Sequence, residues 1–137
     1  MPTDRIAFIF LLSLGAGSLD TATGALLLTL PEWTLHRFGA ALPGGGSDIL
    51  MRFVGAFVLG VGLSYLWGLA TPHTDRRTRR LHGVWGTTAV IRASIATFTT
   101  IAVVTGSLAP AWLVVAGSDA ALAAIQAHGL RARWFES

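Results

Sequence analysis

Three ionisable residues, Asp20, Arg92 and Asp119, each lie near the middle of a long apolar stretch. A charged side chain at the centre of a bilayer costs about 2.5–3.5 kcal/mol on insertion scales. Such residues are retained where they pair with one another or line a polar site. The sequence therefore predicts that Asp20, Arg92 and Asp119 form a buried polar centre.

Two interpretations of this centre are open. In the first, the charges form ion pairs that fix the register of the helices. In the second, one arginine neutralises only one of two aspartates, so the other carboxyl is protonated or binds a cation or polar ligand, as in proton relays and transporters. No P-loop, dinucleotide-binding fingerprint, zincin motif or nucleophile elbow occurs in the sequence, so no catalytic residues are predicted and a non-enzymatic protein is favoured.

His82 and His128 form a second candidate site, because each lies at one end of an apolar stretch on the same predicted side. Two facing imidazoles can hold a haem or a metal ion, and His73 would be the nearest further ligand. Histidines at a membrane interface need no ligand, however. The prediction is no cofactor and no metal, with a haem or a quinone as the alternative.

The composition indicates a membrane protein. Hydrophobic residues make up 53% of the 137 residues and charged residues only 12%, with a mean hydropathy of +0.62. Soluble domains carry about a quarter charged residues. The sequence has no cysteine, which excludes disulfides and thiolate metal sites.

Four apolar stretches approach the roughly 20 residues that span a bilayer. They cover residues 6–30, 49–69, 84–104 and 110–127. Ser47 and Asp48 suit a helix start, Pro110 suits a first helical turn, and Gly129 suits a helix end. The predicted fold is all-α, a single membrane domain over residues 1–137, built as an antiparallel bundle of four transmembrane helices. A cleavable signal peptide ending near residues 15–18 is the alternative for the first stretch.

The arginines predict the orientation, because cytoplasmic loops are enriched in Lys and Arg. One side would carry Arg5, Arg76, Arg77, Arg79, Arg80, Arg131 and Arg133, and the other only Arg37 and Arg52. Both termini are thus predicted on the cytoplasmic side. The tryptophans agree as interfacial anchors: Trp33 and Trp112 on the outside, and Trp67, Trp85 and Trp134 on the inside. The arginine run 76–80 is interpreted as a topogenic signal or a contact for anionic lipid, and nucleic-acid binding is not expected.

The outer loop, residues 31–48, is predicted to contain a short interfacial helix followed by a flexible glycine linker at residues 44–46. Small residues recur every four positions in the second stretch, at Ala56, Gly60, Ser64 and Gly68, and predict a helix-packing seam. At 1.5 Å per residue the three central ionisable groups share one depth. The third and fourth helices are neighbours, so Arg92 and Asp119 are the expected pair, with Asp20 as a second partner or as the group that titrates.

Residues 52–65, RFVGAFVLGVGLSY, resemble the second helix of small bacterial four-helix membrane proteins grouped as DoxX-like, many of unknown function. The likeness rests on the Arg-x-x-Gly motif at Arg52 and Gly55 leading into a glycine-rich helix. The resemblance implies a compact bundle in the bacterial cytoplasmic membrane that serves as a subunit beside a larger complex. DoxX itself is associated with thiosulfate oxidation coupled to quinone.

Three functions are compatible with these features. The first is a non-catalytic accessory or assembly subunit of a larger membrane complex, in contact with other subunits or with itself. The second is a small transporter, or a proton- or ion-conducting oligomer, that uses the Asp/Arg centre. The third is a quinone-linked redox membrane protein that uses His82 and His128.

Overall fold

The computed structural model describes residues 3–40, 48–72 and 74–136, and every regular element within these ranges is helical. The long helices are α1 (Thr3–Thr29), α3 (Asp48–Leu69), α4 (Thr74–Val104) and α5 (Leu113–Arg131); α2 (Pro31–Arg37) is short, and a 3₁₀ turn (Pro110–Trp112) leads into α5. The stretches long and apolar enough to cross a membrane are Asp4–Thr29, Asp48–Leu69, Asp75–Val104 and Pro110–Arg131. The all-helical class is confirmed, and so is the presence of four helices that are long and apolar enough to cross a membrane.

The two largest differences from the predicted boundaries lie at the start of α4 and at the end of α5. Helix α4 begins at Thr74, well before residue 84, because arginine is a good helix former and no Gly or Pro interrupts residues 75–82. Helix α5 continues to Arg131, so the prediction that Gly129 ends it was wrong. The helix instead ends where Arg133 adopts a left-handed φ of 53°.

Other features predicted from the sequence can be compared directly with the structure. The predicted short helix of the outer loop is α2, and Asp48 lies in the first turn of α3. Helix α1 runs without a break through residues 15–18. Ser47, the glycines at 44–46 and His73 lie outside the described residues.

Helices α1 and α3 pack backbone against backbone. A Cβ atom added to Gly24 would collide with the backbone of Leu59, and one added to Gly55 would lie 2.6 Å from the backbone nitrogen of Leu28. Residue numbers rise along α1 as they fall along α3, so the two helices are antiparallel. Glycine is required here because any side chain would force the two helices apart.

Helices α4 and α5 form a second antiparallel pair, joined by the connection at residues 105–109. The two pairs meet through side chains near the middle of the bundle. The Trp85 indole N–H of α4 donates to Ser13 Oγ of α1 at 2.9 Å. Near one end, Gly68 of α3 lies against Leu81 of α4, where an added Cβ would come within 3.0 Å of the leucine.

Trp85 is fully buried in the core, so its prediction as an interfacial anchor was wrong. Its ring centroid lies 5.2 Å from that of Phe135 and 6.4 Å from that of Trp134, both in edge-on geometry. The turn after α5 therefore folds back over the bundle and covers the indole. This also explains Gly129, where an added Cβ would lie 2.9 Å from the Trp85 ring and 2.7 Å from the Trp134 ring.

The close contact between α1 and α3 predicts that one added methyl group lowers the stability of the protein. We expect Gly24→Ala to lower the free energy of unfolding by about 1–3 kcal/mol, the usual cost of overpacking a close contact. Gly15→Ala on the same helix is the matched control, because a Cβ there meets no atom within 4 Å. Unfolding titrations with a denaturing detergent would measure both variants. Equal stability of the two would contradict the packing.

Candidate functional site

The buried polar centre is organised around Arg92. Its Nη1 donates to Asp119 Oδ1 and its Nη2 donates to Asp20 Oδ2. The side chains of Arg92, Asp119 and Asp20 are 6%, 11% and 17% exposed. One guanidinium thus joins residues of α4, α5 and α1, as the depth argument from the sequence anticipated.

The local sequence explains why these side chains point inward. Asp20 lies one turn from Ala16 and Gly24, and Asp119 lies between Ala116 and Ala123 on the buried face of α5. Small neighbours let the helix backbones approach, so that short aspartate side chains can reach a single long arginine.

The charges of the centre are unequal. A guanidinium stays protonated in proteins, so two ionised carboxylates around one arginine leave a net negative charge. Arg92 Nε and Thr21 Oγ1, close by on α4 and α1, are buried without a hydrogen-bond partner among the described residues. The centre can therefore act either as an internal clasp or as a site where one carboxyl gains and loses a proton.

A second polar layer lies one turn before Arg92 along α4 and two turns after Asp119 along α5. Gln126 Nε2 of α5 donates to the Tyr65 hydroxyl of α3 and, at 3.1 Å, to Thr88 Oγ1 of α4. The Tyr65 and Thr88 hydroxyls are 2.8 Å apart. All three residues are at most 2% exposed, and the Arg92 guanidinium carbon lies 5.9 Å from the centre of the Tyr65 ring.

The Trp85–Ser13 hydrogen bond is the third layer of the same column. Together the layers form a buried polar column that passes from the Asp/Arg centre to the aromatic residues of the C-terminal turn. Every helix that could cross a membrane contributes at least one side chain to it. Polar groups that hydrogen-bond across helices are the contacts expected to hold such helices together.

Sequence reasoning missed the second and third layers of this column. A signal was available, since Tyr65 is the only tyrosine and Gln126 is an amide in an otherwise apolar stretch. Each alone is unremarkable, because a phenol or an amide near the end of a span is easily solvated at the interface. Only the antiparallel register of α3, α4 and α5 shows that these side chains meet.

Arg52 has a structural role that the sequence did not indicate. Its Nη1 donates to the carbonyl of Leu28 at 2.5 Å and to that of Thr29 at 3.3 Å. These carbonyls belong to the last turn of α1, where backbone acceptors lack helical partners and the helix dipole favours a cation. Arg52 also lies 3.9 Å from Asp48 in an exposed ion pair of its own helix.

The predicted seam of α3 is divided between two environments. Gly68 packs against α4, whereas Ala56 and Gly60 are exposed and Ser64 is half-buried. The α1 contact uses Gly55 and Gly62 instead. The four-residue spacing was therefore a poor guide to the face that meets the neighbouring helix.

The two histidines contact aromatic rings of the C-terminal turn. The His82 ring lies 5.3 Å from that of Phe135, and the His128 ring lies 5.5 Å from that of Trp134. Within residues 3–40, 48–72 and 74–136, no three His, Asp or Glu side chains are grouped so that they could hold a metal ion. The haem and quinone alternatives stay predictions.

Comparisons with known proteins assign no function to this site. No protein-family model, no curated protein and no solved structure matches this chain. The resemblance of residues 52–65 to DoxX-like proteins therefore stays a prediction.

Removal of the central cation should be far more damaging than removal of the whole ionic group. We expect Arg92→Leu to cost about 3–5 kcal/mol, because it leaves two buried carboxyls without their partner. The triple variant with Asp20→Asn and Asp119→Asn should recover most of that loss. Unfolding titrations in detergent would compare the two, and a triple variant no more stable than Arg92→Leu would contradict the clasp.

Proposed function

We propose that this chain is an integral membrane protein with four transmembrane helices and cytoplasmic termini, and that it is a non-catalytic accessory or assembly subunit of a larger membrane complex. The bundle would lie in the bacterial cytoplasmic membrane. The arginine-rich start of α4, Arg131 at the end of α5 and Arg133 just after it would face the cytoplasm, in keeping with the positive-inside rule.

One observation carries this proposal: the ionisable groups inside the bundle are bound to each other. Both central carboxylates accept hydrogen bonds from Arg92, and the next layer is also paired, through Tyr65, Thr88 and Gln126. A centre that serves catalysis or binding presents groups toward a ligand. Here the same groups join α1, α3, α4 and α5, which supports a role in holding the bundle together.

The outer surface supports the same function. It is dominated by large apolar side chains, among them Phe53, Phe57, Val90, Phe98, Ile101, Val104 and Val114. In a membrane such a surface meets lipid or other apolar helices. The resemblance of the second helix to DoxX-like proteins implies a subunit beside a larger complex as well. A partner subunit or a second copy of this chain is the expected neighbour.

Gentle extraction tests the accessory role. We expect the protein, taken from its native membrane in a mild detergent, to travel with a different membrane protein in a fixed ratio, and its deletion to lower the amount of that assembled complex. Complex mass and subunit ratio would be measured by light scattering and mass spectrometry. The protein running alone, with deletion changing no membrane complex, would contradict the proposal.

A proton- or ion-conducting role is the second candidate, and the charge imbalance favours it. Two aspartates share one arginine, and Arg92 Nε, Thr21 Oγ1 and Gln126 Oε1 are buried without partners among the described residues. A carboxyl beside unpaired polar atoms can exchange a proton if water reaches it. In this case the hydroxyls of the polar column and the Gln126 amide would be part of the proton path.

Flux measurements separate the two functions. If the protein conducts protons, proteoliposomes containing it should acidify under an imposed gradient, and Asp20→Asn or Asp119→Asn should abolish the flux while the helical content and melting behaviour remain. Exposed Asp75→Asn on α4 is the matched control. The accessory proposal expects no flux from the unsubstituted protein.

A further inference from the structure

Helices α3 and α4 separate along part of their length and leave a cleft of about 680 Å³ on one side of the bundle. The cleft is lined along α3 by Ala56, Gly60 and Ser64, and it ends at Trp67, Arg79 and Arg80. Its lining thus passes from small and apolar to cationic. We propose that this cleft binds one anionic phospholipid, with an acyl chain along the small residues and the phosphate at the two arginines.

The small-residue part of the cleft suits a hydrocarbon chain. Gly60 has open space where a side chain would be, and it is exposed. Two of the three hydroxyls in the wall are already bonded to their own helices, with Ser64 donating to the Val61 carbonyl and Thr88 to the Val84 carbonyl, each at 2.7 Å, whereas Thr87 is exposed and its hydroxyl has no partner among the described residues. An apolar occupant therefore leaves Thr87 as the one hydroxyl of this described lining without a partner.

The length of the cleft matches one leaflet of a bilayer. From Ala56 to Trp67 the helix rises about 16 Å at 1.5 Å per residue. Half of a hydrocarbon core is about 15 Å. A lipid with its chain along α3 would therefore bring its phosphate to the level of Trp67, the depth at which tryptophan rings favour the headgroup region.

The cationic end is arranged to hold an anion. Arg80 Nη1 donates to Thr71 Oγ1 at 2.6 Å, and the guanidinium carbon lies 4.1 Å from the centre of the Trp67 ring. These contacts fix the guanidinium at the end of the cleft, and its other N–H groups have no partner among the described residues. Arg79 is exposed and makes no ion pair with any described residue. Guanidinium groups bind phosphate oxygens in bidentate geometry.

The charge gradient favours a lipid over a protein helix. A second copy of this chain, or an apolar partner helix, would gain from the small residues but would leave both arginines without an anion. A phospholipid satisfies both ends at once. This inference is independent of the proposed accessory role, since a protein that runs alone can still retain a lipid.

Native mass spectrometry of the delipidated protein in detergent tests the site. The protein would be titrated with phosphatidylglycerol or with phosphatidylcholine of identical acyl chains. We expect one phosphatidylglycerol to be retained at least tenfold more tightly than phosphatidylcholine, because each basic residue near the headgroup favours the anionic lipid about fivefold.

Variants divide the site into its two ends. Arg79→Gln with Arg80→Gln should abolish the preference for the anionic headgroup. Gly60→Leu, at a position with room for a side chain, should block retention of both lipids. Arg76→Gln is the matched control, because this exposed arginine on the same helix does not line the cleft. Circular dichroism would verify that each variant keeps its helical content.

Four results would overturn the proposal. Equal retention of the two lipids would remove the headgroup site, and retention unchanged by Gly60→Leu would remove the chain site. Displacement of the lipid by millimolar glycerol phosphate would assign the arginines to a free phosphate compound. A dimer that forms on delipidation and is lost in Gly60→Leu would assign the cleft to a second copy of the chain.

Discussion

The ionic contact of Arg92 with Asp20 and Asp119 is the constraint on which the rest of the structure depends. Buried charges are costly unless each has its partner, so the three residues must lie at one level. That requirement fixes the positions of α1, α4 and α5 along their axes. Apolar packing alone would allow these helices to slide, because in lipid an apolar surface gains little by exchanging one apolar neighbour for another.

The bundle is then best understood as two helix pairs built by different means. Helices α1 and α3 are held by backbone contact at Gly24, Gly55 and Gly62, which requires close approach and leaves no room for side chains. Helices α4 and α5 follow one another through a short connection. Between the pairs the polar column supplies directional hydrogen bonds, in which Trp85 donates to Ser13 and Arg92 donates to Asp20. Glycine sets the distance within one pair, and polar groups set the register between the pairs.

This division explains what the sequence could predict. Hydropathy and charge cost are properties of single stretches, so the four apolar spans and the meeting of Arg92 with the two aspartates were accessible. Which face of a helix meets its neighbour is a property of two helices. Small residues lie on two adjacent faces of α3, one with Gly55 and Gly62 and the other with Ala56 and Gly60. Only the structure shows that the first face is the one that contacts α1.

Trp85 shows that the burial of a single residue also depends on elements far away in the sequence. A tryptophan near a span end is typical of an interfacial anchor, yet the turn after α5 covers this one, and Ser13 accepts its N–H. The polar column also extends in only one direction from Arg92: toward the C-terminal end of α4 the buried residues are Ala96, Thr99 and Ala102, with no ionisable group among them.

Thr88 lies in the column and in the wall of the cleft at the same time. A lipid in that cleft would therefore contact α4, the helix that carries Arg92. Lipid binding and the packing of the polar centre would then depend on the same helix.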